Sequence, residues 1–370
     1  MTGKNAMKLD IPESLLSIKP YPPGKPMEEV FREYGLTDVV KLASNENPLG
    51  PSSAVIEAIT RTLPKIHRYP DGSGYELLTA LSGNLGISKE RLIIGNGSDE
   101  IIGMLATALL RPGVSAVLPE PSFLMYEIMI KTAGAEAHFV PLKNFAIDLP
   151  AMKEKITDNT RLVFLTHPNN PTGSFIKKDE FEWFMEGLPE NVVVISDEAY
   201  IEFARDKDAM NSLQYIDKGY PVVTLRTFSK VYGLAGLRIG YGIMDQELAD
   251  VLNRFRQPFN TNILAQAAAC AALNDTDYLE KTVSLIHREI DFLYAALSDI
   301  GVSYVPSQSN FILIEVKGGA DKVFKSMLKK GVIVRSMSSY GYPDHIRVNA
   351  GLHEENVRFV NALEETLKGL

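Results

Sequence analysis

Lys230 lies in a stretch whose neighbours could turn its amine into a nucleophile. The apolar run Val222–Leu225 is typical of a buried strand. The glycine and hydroxyl residues that follow it interrupt the repeat of apolar residues expected in a helix or strand, so they predict a loop. Phe228, Val231 and Tyr232 flank the lysine. Poor hydration among such side chains lowers the pKa of an amine and leaves more of it unprotonated. We therefore expect a lysine at a strand end that can bond to a carbonyl carbon.

Thr227, Ser229 and Arg238 add two hydroxyls and a guanidinium around this lysine. Donors of this kind suit a phosphate group. A phosphorylated cofactor with a reactive carbonyl fits both features, and pyridoxal 5′-phosphate (PLP) is such a cofactor. The alternative is an ordinary surface loop with one lysine and one arginine.

Two further polar groups follow apolar runs that predict buried strands. Asp197 comes after Asn191–Ser196, and Asn170 stands in a rigid loop after Arg161–Leu165. Open α/β sheets place their ligands at the carboxyl ends of strands. A buried acid needs a cation, which a protonated pyridine nitrogen supplies, although a helix N-cap role for Asp197 is the alternative.

The segment Gly95–Glu100 precedes an apolar helix predicted at Ile101–Leu110. Backbone amides at the start of a helix bind anions, so this segment could hold a phosphate. A dinucleotide fingerprint would need a third glycine, which is missing here. We therefore exclude a nicotinamide cofactor.

Three motifs together resemble those of the PLP-dependent aminotransferases of the aspartate aminotransferase fold. They are Asn-Asn-Pro-Thr-Gly at 169–173, Asp-Glu-Ala-Tyr at 197–200, and Thr-Phe-Ser-Lys at 227–230 with Arg238. The resemblance implies an α/β fold in which a large domain has a mostly parallel central sheet covered by helices, next to a smaller α/β domain. It implies an N-terminal arm and part of the small domain in residues 1–60, a large PLP-binding domain in 61–270 and a C-terminal small domain in 271–370.

The same resemblance assigns roles to individual residues. Lys230 would hold PLP covalently, Asp197 would pair with the ring nitrogen, and Phe123 would stack on the ring. Asn170 and Tyr200 would contact the phenolic oxygen. The implied phosphate ligands are Ser98, Asp99, Thr227, Ser229, Arg238 and, from the second subunit of a homodimer, Tyr69.

For two of these aromatic residues the sequence alone leaves a simpler explanation. Phe123 could be an ordinary core side chain, and Tyr69 could be a packed aromatic in the turn that contains Pro70 and Gly72.

Arg335 and Arg347 carry the prediction about substrate. Arg335 follows the apolar run Val332–Val334, and Arg347 is flanked by isoleucine and valine. A partly desolvated arginine needs an anion, which a structural carboxylate or a ligand could supply. The resemblance implies that Arg347 clamps a substrate carboxylate and that Tyr21, in a proline-rich arm that cannot be helical, closes over the substrate.

Softer motifs resemble the histidinol-phosphate aminotransferases within this fold. They are Lys-Pro-Tyr at 19–21, Asn-Glu-Asn-Pro-Leu-Gly at 45–50, and the segment 334–343 before Arg347. The implied reaction converts histidinol phosphate and 2-oxoglutarate to imidazole acetol phosphate and glutamate in histidine biosynthesis. An aromatic amino-acid aminotransferase and a threonine-phosphate decarboxylase remain alternatives. So does a PLP-binding regulator without turnover, although it would need a DNA-binding module that we do not expect before Tyr21.

The apolar pattern also predicts the elements that position these residues. Ser53 is the expected cap of a helix that runs to Leu63. The resemblance implies that Arg238–Gly242 leads into a strand that returns antiparallel. Other predicted strands and helices are Leu92–Ile94, Ala116–Leu118, Phe311–Glu315, Asp321–Lys330, Val332–Val334, Ile346–Asn349 and Glu354–Leu367.

Composition limits the class of protein. A chain of 370 residues predicts two domains, and a net charge of −8 argues against nucleic acid or acidic membrane as a partner. The single Cys270 excludes an internal disulfide and a cysteine metal cluster, which fits a reducing compartment. No run has membrane-spanning length, and no signal peptide is visible. We therefore expect a cytoplasmic enzyme with small-molecule substrates and no metal.

Overall fold

The computed structural model describes residues 9–21 and 24–369, in which strands and helices alternate along much of the chain. The strands are β1 (Val40–Lys41), β2 (Leu92–Gly95), β3 (Ser115–Glu120), β4 (Glu136–Pro141), β5 (Thr160–Thr166), β6 (Val193–Asp197), β7 (Val222–Thr227), β8 (Gly240–Ile243), β9 (Tyr304–Val305), β10 (Phe311–Glu315), β11 (Val332–Ile333), β12 (Arg335–Ser336) and β13 (His345–Asn349).

The helices include one long element, α12, and several short ones. They are α1 (Glu13–Leu16), α2 (Met27–Tyr34), α3 (Ser53–Thr62), α4 (Tyr75–Leu85), α5 (Ser98–Leu109), α6 (Leu124–Thr132), α7 (Leu149–Glu154), α8 (Lys178–Met185), α9 (Leu213–Asp217), α10 (Gln246–Asn253), α11 (Ile263–Leu273), α12 (Thr276–Asp299), α13 (Ala320–Lys329) and α14 (His353–Lys368).

The large sheet has the strand order β2-β8-β7-β6-β5-β3-β4. Its neighbours pair in parallel except for β8, which runs antiparallel to both β7 and β2. Strands β5 and β6 are almost wholly buried, as expected for parallel strands that helices cover on both faces. The predicted mostly parallel sheet and the returning antiparallel strand are both confirmed.

Apolar side chains hold helices against the two faces of the large sheet. On one face, Leu77 of α4, Phe181 of α8 and Ala268 of α11 share a core. On the other face, Ile101 of α5 and Leu252 of α10 share a second core with residues of α6. This packing fixes the carboxyl ends of β5, β6 and β7 beside each other, at one edge of the sheet.

The small sheet has the order β12-β13-β10-β9 and is antiparallel. Its apolar face packs against α12, α13 and α14 through residues such as Ile286, Met327 and Phe359. Strand β1 pairs in parallel with β11. This is the smaller α/β unit of the predicted fold class, which is confirmed. The domain limits remain a prediction: α3 spans residue 60, and its Val55 packs into a core of the large sheet.

Local details differ from the sequence-based expectations. Ser52, and not Ser53, caps α3, because the backbone of Ser52 is extended and its hydroxyl accepts the amide proton of Val55. The helix itself ends at Thr62, followed by a 3₁₀ turn. Strand β4 lies at the edge of the sheet and was not predicted, since its pattern is only partly apolar.

Two other expectations concern the N-terminal arm and membrane-spanning helices. The arm is non-helical at residues 18–21 and 24–26, while Pro22 and Pro23 lie outside the described residues. In the part of the chain that the structure describes, no helix has the length and apolarity needed to cross a membrane.

Candidate active site

A cavity of about 260 Å³ opens at the carboxyl ends of β5, β6 and β7. It is the position at which an open α/β sheet binds its ligands. The residues predicted to contact the cofactor line this cavity, with the exception of Tyr69. Residues far apart in the sequence therefore meet in one place.

Lys230 follows β7, and its amine faces the cavity. The Nζ atom donates a 3.2 Å hydrogen bond to the carbonyl of Ser44 and lies 5.6 Å from the centre of the Tyr200 ring. Burial lowers the pKa of Lys230 to about 8, and the positive charge of Arg347 adds to this effect. A useful fraction of the amine is therefore unprotonated near neutral pH.

Asp197 is the last residue of β6, and its carboxylate is buried. The Oδ1 atom accepts a 3.2 Å hydrogen bond from the backbone amide of Ala199, and Oδ2 accepts a 2.5 Å hydrogen bond from the hydroxyl of Tyr126. Burial raises the pKa of Asp197 to about 6, while the Tyr126 bond opposes that rise. A cation in the cavity would keep this carboxylate ionised.

Tyr126 is a residue of the site that the sequence analysis missed. It belongs to α6, is fully buried and also lies 3.0 Å from the Thr166 hydroxyl. Its ring stacks on Phe164 with centroids 4.6 Å apart. A usable signal was present, since Tyr126 stands three residues after Phe123 and a buried phenol usually finds a polar partner.

Apart from Tyr69, the expected phosphate ligands lie around the start of α5. Arg238 donates hydrogen bonds to the Ser229 hydroxyl (3.2 Å) and to the carboxylate of Asp99 (3.3 Å). The amide of Ser229 donates to the Thr227 hydroxyl at 3.1 Å. Gly97, with φ of 80°, precedes the helix, and a Cβ atom there would collide with the Arg238 guanidinium. A helix N-terminus beside a guanidinium suits a phosphate.

Asn170 and Arg347 are in direct contact. Arg347 donates one hydrogen bond to the Oδ1 atom of Asn170 and another, of 3.0 Å, to the carbonyl of Ala43. Its Nε atom is buried without a hydrogen-bond partner among the described residues. Burial lowers the pKa of Arg347, so an anion in this place would be stabilised by the guanidinium and would relieve the burial of its charge.

Arg335 pairs with Arg347 across strands β12 and β13. The Arg335 guanidinium lies 6.0 Å from the centre of the Tyr21 ring, and that ring meets Phe123 edge-on at 6.4 Å. Tyr340, which was not predicted, is buried, and a hydrogen bond with Arg335 opposes the rise that burial causes in its pKa. Positive charge and phenol groups thus collect at the side of the site formed by the small sheet.

Tyr69 lies away from this cavity. Its side chain is 80% exposed and stacks on Phe259 with centroids 4.7 Å apart. Both residues border a separate surface depression of about 810 Å³. Within a single chain, therefore, Tyr69 is not among the residues that line the site around Lys230.

Comparisons with known proteins agree with this geometry. The model of the family "Aminotransferase class I and II" matches residues 37–363. A histidinol-phosphate aminotransferase of Desulfotalea psychrophila is 45% identical over 369 residues, which cover 99% of this chain and 97% of that protein. Histidinol-phosphate aminotransferase 1 of Nitrosococcus oceani is 46% identical over 351 residues, 95% of each protein.

A solved structure shows the same similarity in three dimensions. The crystal structure of histidinol-phosphate aminotransferase from Sinorhizobium meliloti in complex with pyridoxal-5′-phosphate matches with a TM-score of 0.89 and 27% identity. The match covers 99% of each chain. On these grounds, the chain belongs to the aminotransferase class I and II family.

Proposed function

We propose that this protein is a PLP-dependent transaminase. It converts histidinol phosphate and 2-oxoglutarate to imidazole acetol phosphate and glutamate, in histidine biosynthesis. One observation carries the proposal: the amine of Lys230, whose pKa burial lowers to about 8, shares a cavity with the buried carboxylate of Asp197 and has Arg347 near it. The relatives that bear the name of this activity cover nearly the whole chain.

The residues around the cavity fit PLP. The Ser98 hydroxyl and the first backbone amides of α5, including that of Asp99, would hold the phosphate with Arg238. Strand β8 approaches the start of α5 closely, since a Cβ atom on Gly240 would come within 2.5 Å of the Ser98 nitrogen. When bound, PLP supplies a ring that accepts the electron pair left by a broken C–H bond.

Lys230 would act twice. Its amine would hold the cofactor covalently, which requires an unprotonated nitrogen, and a pKa of about 8 makes that form accessible. When it is free, the same nitrogen would take the proton from the substrate Cα atom. The contact of Nζ with the carbonyl of Ser44 keeps the amine at the cavity wall.

The other residues would orient and tune the ligand. Asp197, with Tyr126 behind it, would pair with a protonated ring nitrogen, and Phe123 would cover the face of the ring. Tyr200 and Asn170 would bind its phenolic oxygen. Thr227 and Ser229 complete the phosphate ligands through their hydroxyl groups.

Arg335 and Arg347 would bind the anionic end of the substrate. The phosphate of histidinol phosphate and the distal carboxylate of 2-oxoglutarate are both anions, so the same two guanidinium groups can serve each in turn. Tyr21 would add a neutral hydrogen-bond donor beside Arg335, near which its ring already lies.

We further propose a homodimer in which Tyr69 reaches the phosphate site of the other subunit. The support is its exposure and its distance from the cavity of its own chain. Tyr69 shares a surface depression with two other exposed apolar side chains, Ile66 and Phe259, which a second subunit would cover.

Two coarser features belong to the same proposal. A net charge of −8 and a single cysteine support a cytoplasmic location without nucleic-acid or membrane partners. The domain limits 1–60, 61–270 and 271–370 are kept as proposed boundaries.

A steady-state assay of the purified protein with PLP tests the function. We expect kcat/KM with histidinol phosphate to exceed the values with free histidinol, phenylalanine and threonine phosphate. Equal turnover of phosphorylated and free histidinol would overturn the substrate while leaving the PLP chemistry intact. Lys230→Ala should lose the visible absorbance of lysine-bound PLP and nearly all turnover. Transamination at the parent rate by that variant would contradict the whole proposal.

A further inference from the structure

Asn45 is a buried residue at the site to which the proposed function gives no role. Its Nδ2 atom donates a 3.0 Å hydrogen bond to the hydroxyl oxygen of Tyr200. Only 1% of Asn45 is exposed, and its φ of 56° lies in the left-handed region. Asparagine adopts that region more readily than most residues other than glycine, but surrounding contacts must still hold it there.

Two asparagines of the small sheet supply those contacts. The backbone amide of Asn45 donates to the Oδ1 atom of Asn349 at 3.1 Å, and the Nδ2 atom of Asn310 donates to the carbonyl of Asn45, also at 3.1 Å. Asn349 ends β13, and Asn310 directly precedes β10, the neighbour of β13. The small sheet therefore holds the backbone of Asn45 in place, and from that position its side-chain amide reaches Tyr200.

The direction of the hydrogen bond between Asn45 and Tyr200 decides what the phenol can do. A phenol has one proton to donate and can also accept. Because Asn45 donates to the Tyr200 oxygen, the Tyr200 proton is not consumed in this contact. The ring of Tyr200 is fixed edge-on against Phe311 at 5.1 Å, and its side chain lines the cavity.

Charged groups on several elements face Tyr200. The amine of Lys230 lies over its ring, Arg347 on β13 lowers its pKa, and Asp197 and Asp99 raise it. Burial is the largest influence and raises the pKa of Tyr200, so the phenol keeps its proton at neutral pH. The proton is then available to a ligand in the cavity.

We propose that Asn45 is a positioning residue that keeps the hydroxyl proton of Tyr200 directed into the cavity, for donation to an oxygen of the bound ligand. The inference rests on the proposed function, in which that oxygen is the phenolic oxygen of PLP. A phenol that accepts a hydrogen bond also becomes a stronger donor, so Asn45 both aims and strengthens the donation.

Asn45→Gly tests this role, because glycine tolerates the left-handed backbone while the side chain with its amide donor is removed. The measurement is the pH midpoint of the visible absorbance of the PLP-loaded protein. A donor to the phenolic oxygen stabilises the negative charge on that oxygen. The charge then does less to hold a proton on the nitrogen that joins PLP to Lys230, so the pH midpoint of that proton is lower. We expect Asn45→Gly to raise the midpoint by roughly 0.5 pH unit, the size expected from weakening one neutral hydrogen bond. Tyr200→Phe should raise it further.

A double variant separates positioning from general structural damage. If Asn45 acts through the Tyr200 hydroxyl, Asn45→Gly combined with Tyr200→Phe should show the midpoint of Tyr200→Phe alone. Asn144→Gly is the matched control, since Asn144 has a φ of 50° in an exposed turn, and it should leave the midpoint unchanged. Should the glycine variant fail to fold, Asn45→Ser removes the same donor.

The sign of the shift distinguishes the outcomes. A lowered midpoint in Asn45→Gly would mean that the Tyr200 proton normally points to Asn45, and it would overturn the inference. An unchanged midpoint, or additive shifts in the double variant, would overturn it as well. Failure of the proposed PLP chemistry looks different, because the parent protein would then retain no visible absorbance after unbound PLP had been removed.

Discussion

The hydroxyl of Tyr126 donates a hydrogen bond of 2.5 Å to the Oδ2 atom of Asp197, and both residues are buried. Tyr126 belongs to helix α6, and Asp197 ends strand β6 of the large sheet. Hydrogen bonds to a charged acceptor are stronger than those between neutral groups. Tyr126 therefore favours the ionised form of Asp197, whose pKa burial alone would raise further.

Tyr126→Phe should reduce both turnover and PLP retention. Without the phenol hydroxyl, the carboxylate of Asp197 loses a donor, so its pKa rises above about 6. Asp197 then becomes protonated at a higher pH, and the acid limb of the kcat profile should shift upward. A hydrogen bond to a charged group contributes on the order of 1.5–3 kcal/mol, so we expect a loss of roughly tenfold or more.

Tyr215→Phe is the control for losing a buried hydroxyl. Tyr215 is equally buried, but its ring packs against Phe181 and Tyr220 and it does not line the cavity. This variant should leave the acid limb in place. If Tyr126→Phe also leaves the acid limb in place, Tyr126 has no influence on Asp197.

Lys230 should destabilise the PLP-free protein in a pH-dependent way. Its folded-state pKa of about 8 is lower than the ordinary 10.5. Below about pH 8 both the folded and unfolded states hold the proton, so the full penalty of the buried charge is present. Between about pH 8 and 10.5 the folded state loses its proton first, and the penalty fades as the pH rises.

Lys230→Met should therefore stabilise the PLP-free protein at neutral pH, by about 1–2 kcal/mol, and by less at alkaline pH. Denaturant unfolding of both proteins near pH 7 and near pH 9.5 measures the difference. Lys207→Met, in an exposed loop, controls for the loss of a charge that is not buried. A stability gain that is the same at both pH values would contradict the burial of a charged Lys230.

Mixing two defective subunits tests the position of Tyr69. In heterodimers of Tyr69→Phe with Lys230→Ala, one site should carry both changes and the other neither, if Tyr69 acts across the interface. The activity of the mixture at limiting PLP should then exceed the average of the activities of the Tyr69→Phe and Lys230→Ala homodimers. Tyr69→Phe alone should retain PLP less well, because one hydrogen bond to its phosphate is lost. Shown subunit exchange with no recovered activity would argue against a shared site.

Arg335→Ala should act selectively on the phosphorylated substrate. Each charge-assisted hydrogen bond contributes on the order of 1.5–3 kcal/mol, so kcat/KM for histidinol phosphate should fall roughly ten- to a hundredfold. The value for phenylalanine should change little, because phenylalanine has no charge at its distal end. Arg111 is exposed and far from Arg335 in the sequence, so Arg111→Ala should change kcat/KM for neither substrate. Equal losses for both substrates would place Arg335 outside the anion site.

The residues that line the cavity around Lys230 were predictable where a motif is contiguous. An apolar run followed by glycine, proline or hydroxyl residues marks the end of a buried strand. Lys230, Asp197 and Asn170 each stand within a few residues of such an end. Because parallel strands present their carboxyl ends at one edge of the sheet, these residues had to converge. The same reasoning needs no knowledge of side-chain contacts.

Other partners became visible only in the folded chain. Tyr126 lies 71 residues from Asp197, and Asn45 lies 155 residues from Tyr200. Periodicity shows that such residues are buried, but it cannot show which polar group of another element each one meets. The register that places Arg335 opposite Arg347 is likewise a property of strand pairing.

The sequence by itself thus determined the fold class and the positions of Lys230 and of the polar groups at the strand ends. Tertiary structure decided how those groups are oriented and what keeps them charged or protonated. The physical reason is that apolar patterning depends on neighbours along the chain, whereas a buried polar atom is satisfied by whichever distant donor or acceptor the packing of the sheets brings within about 3 Å.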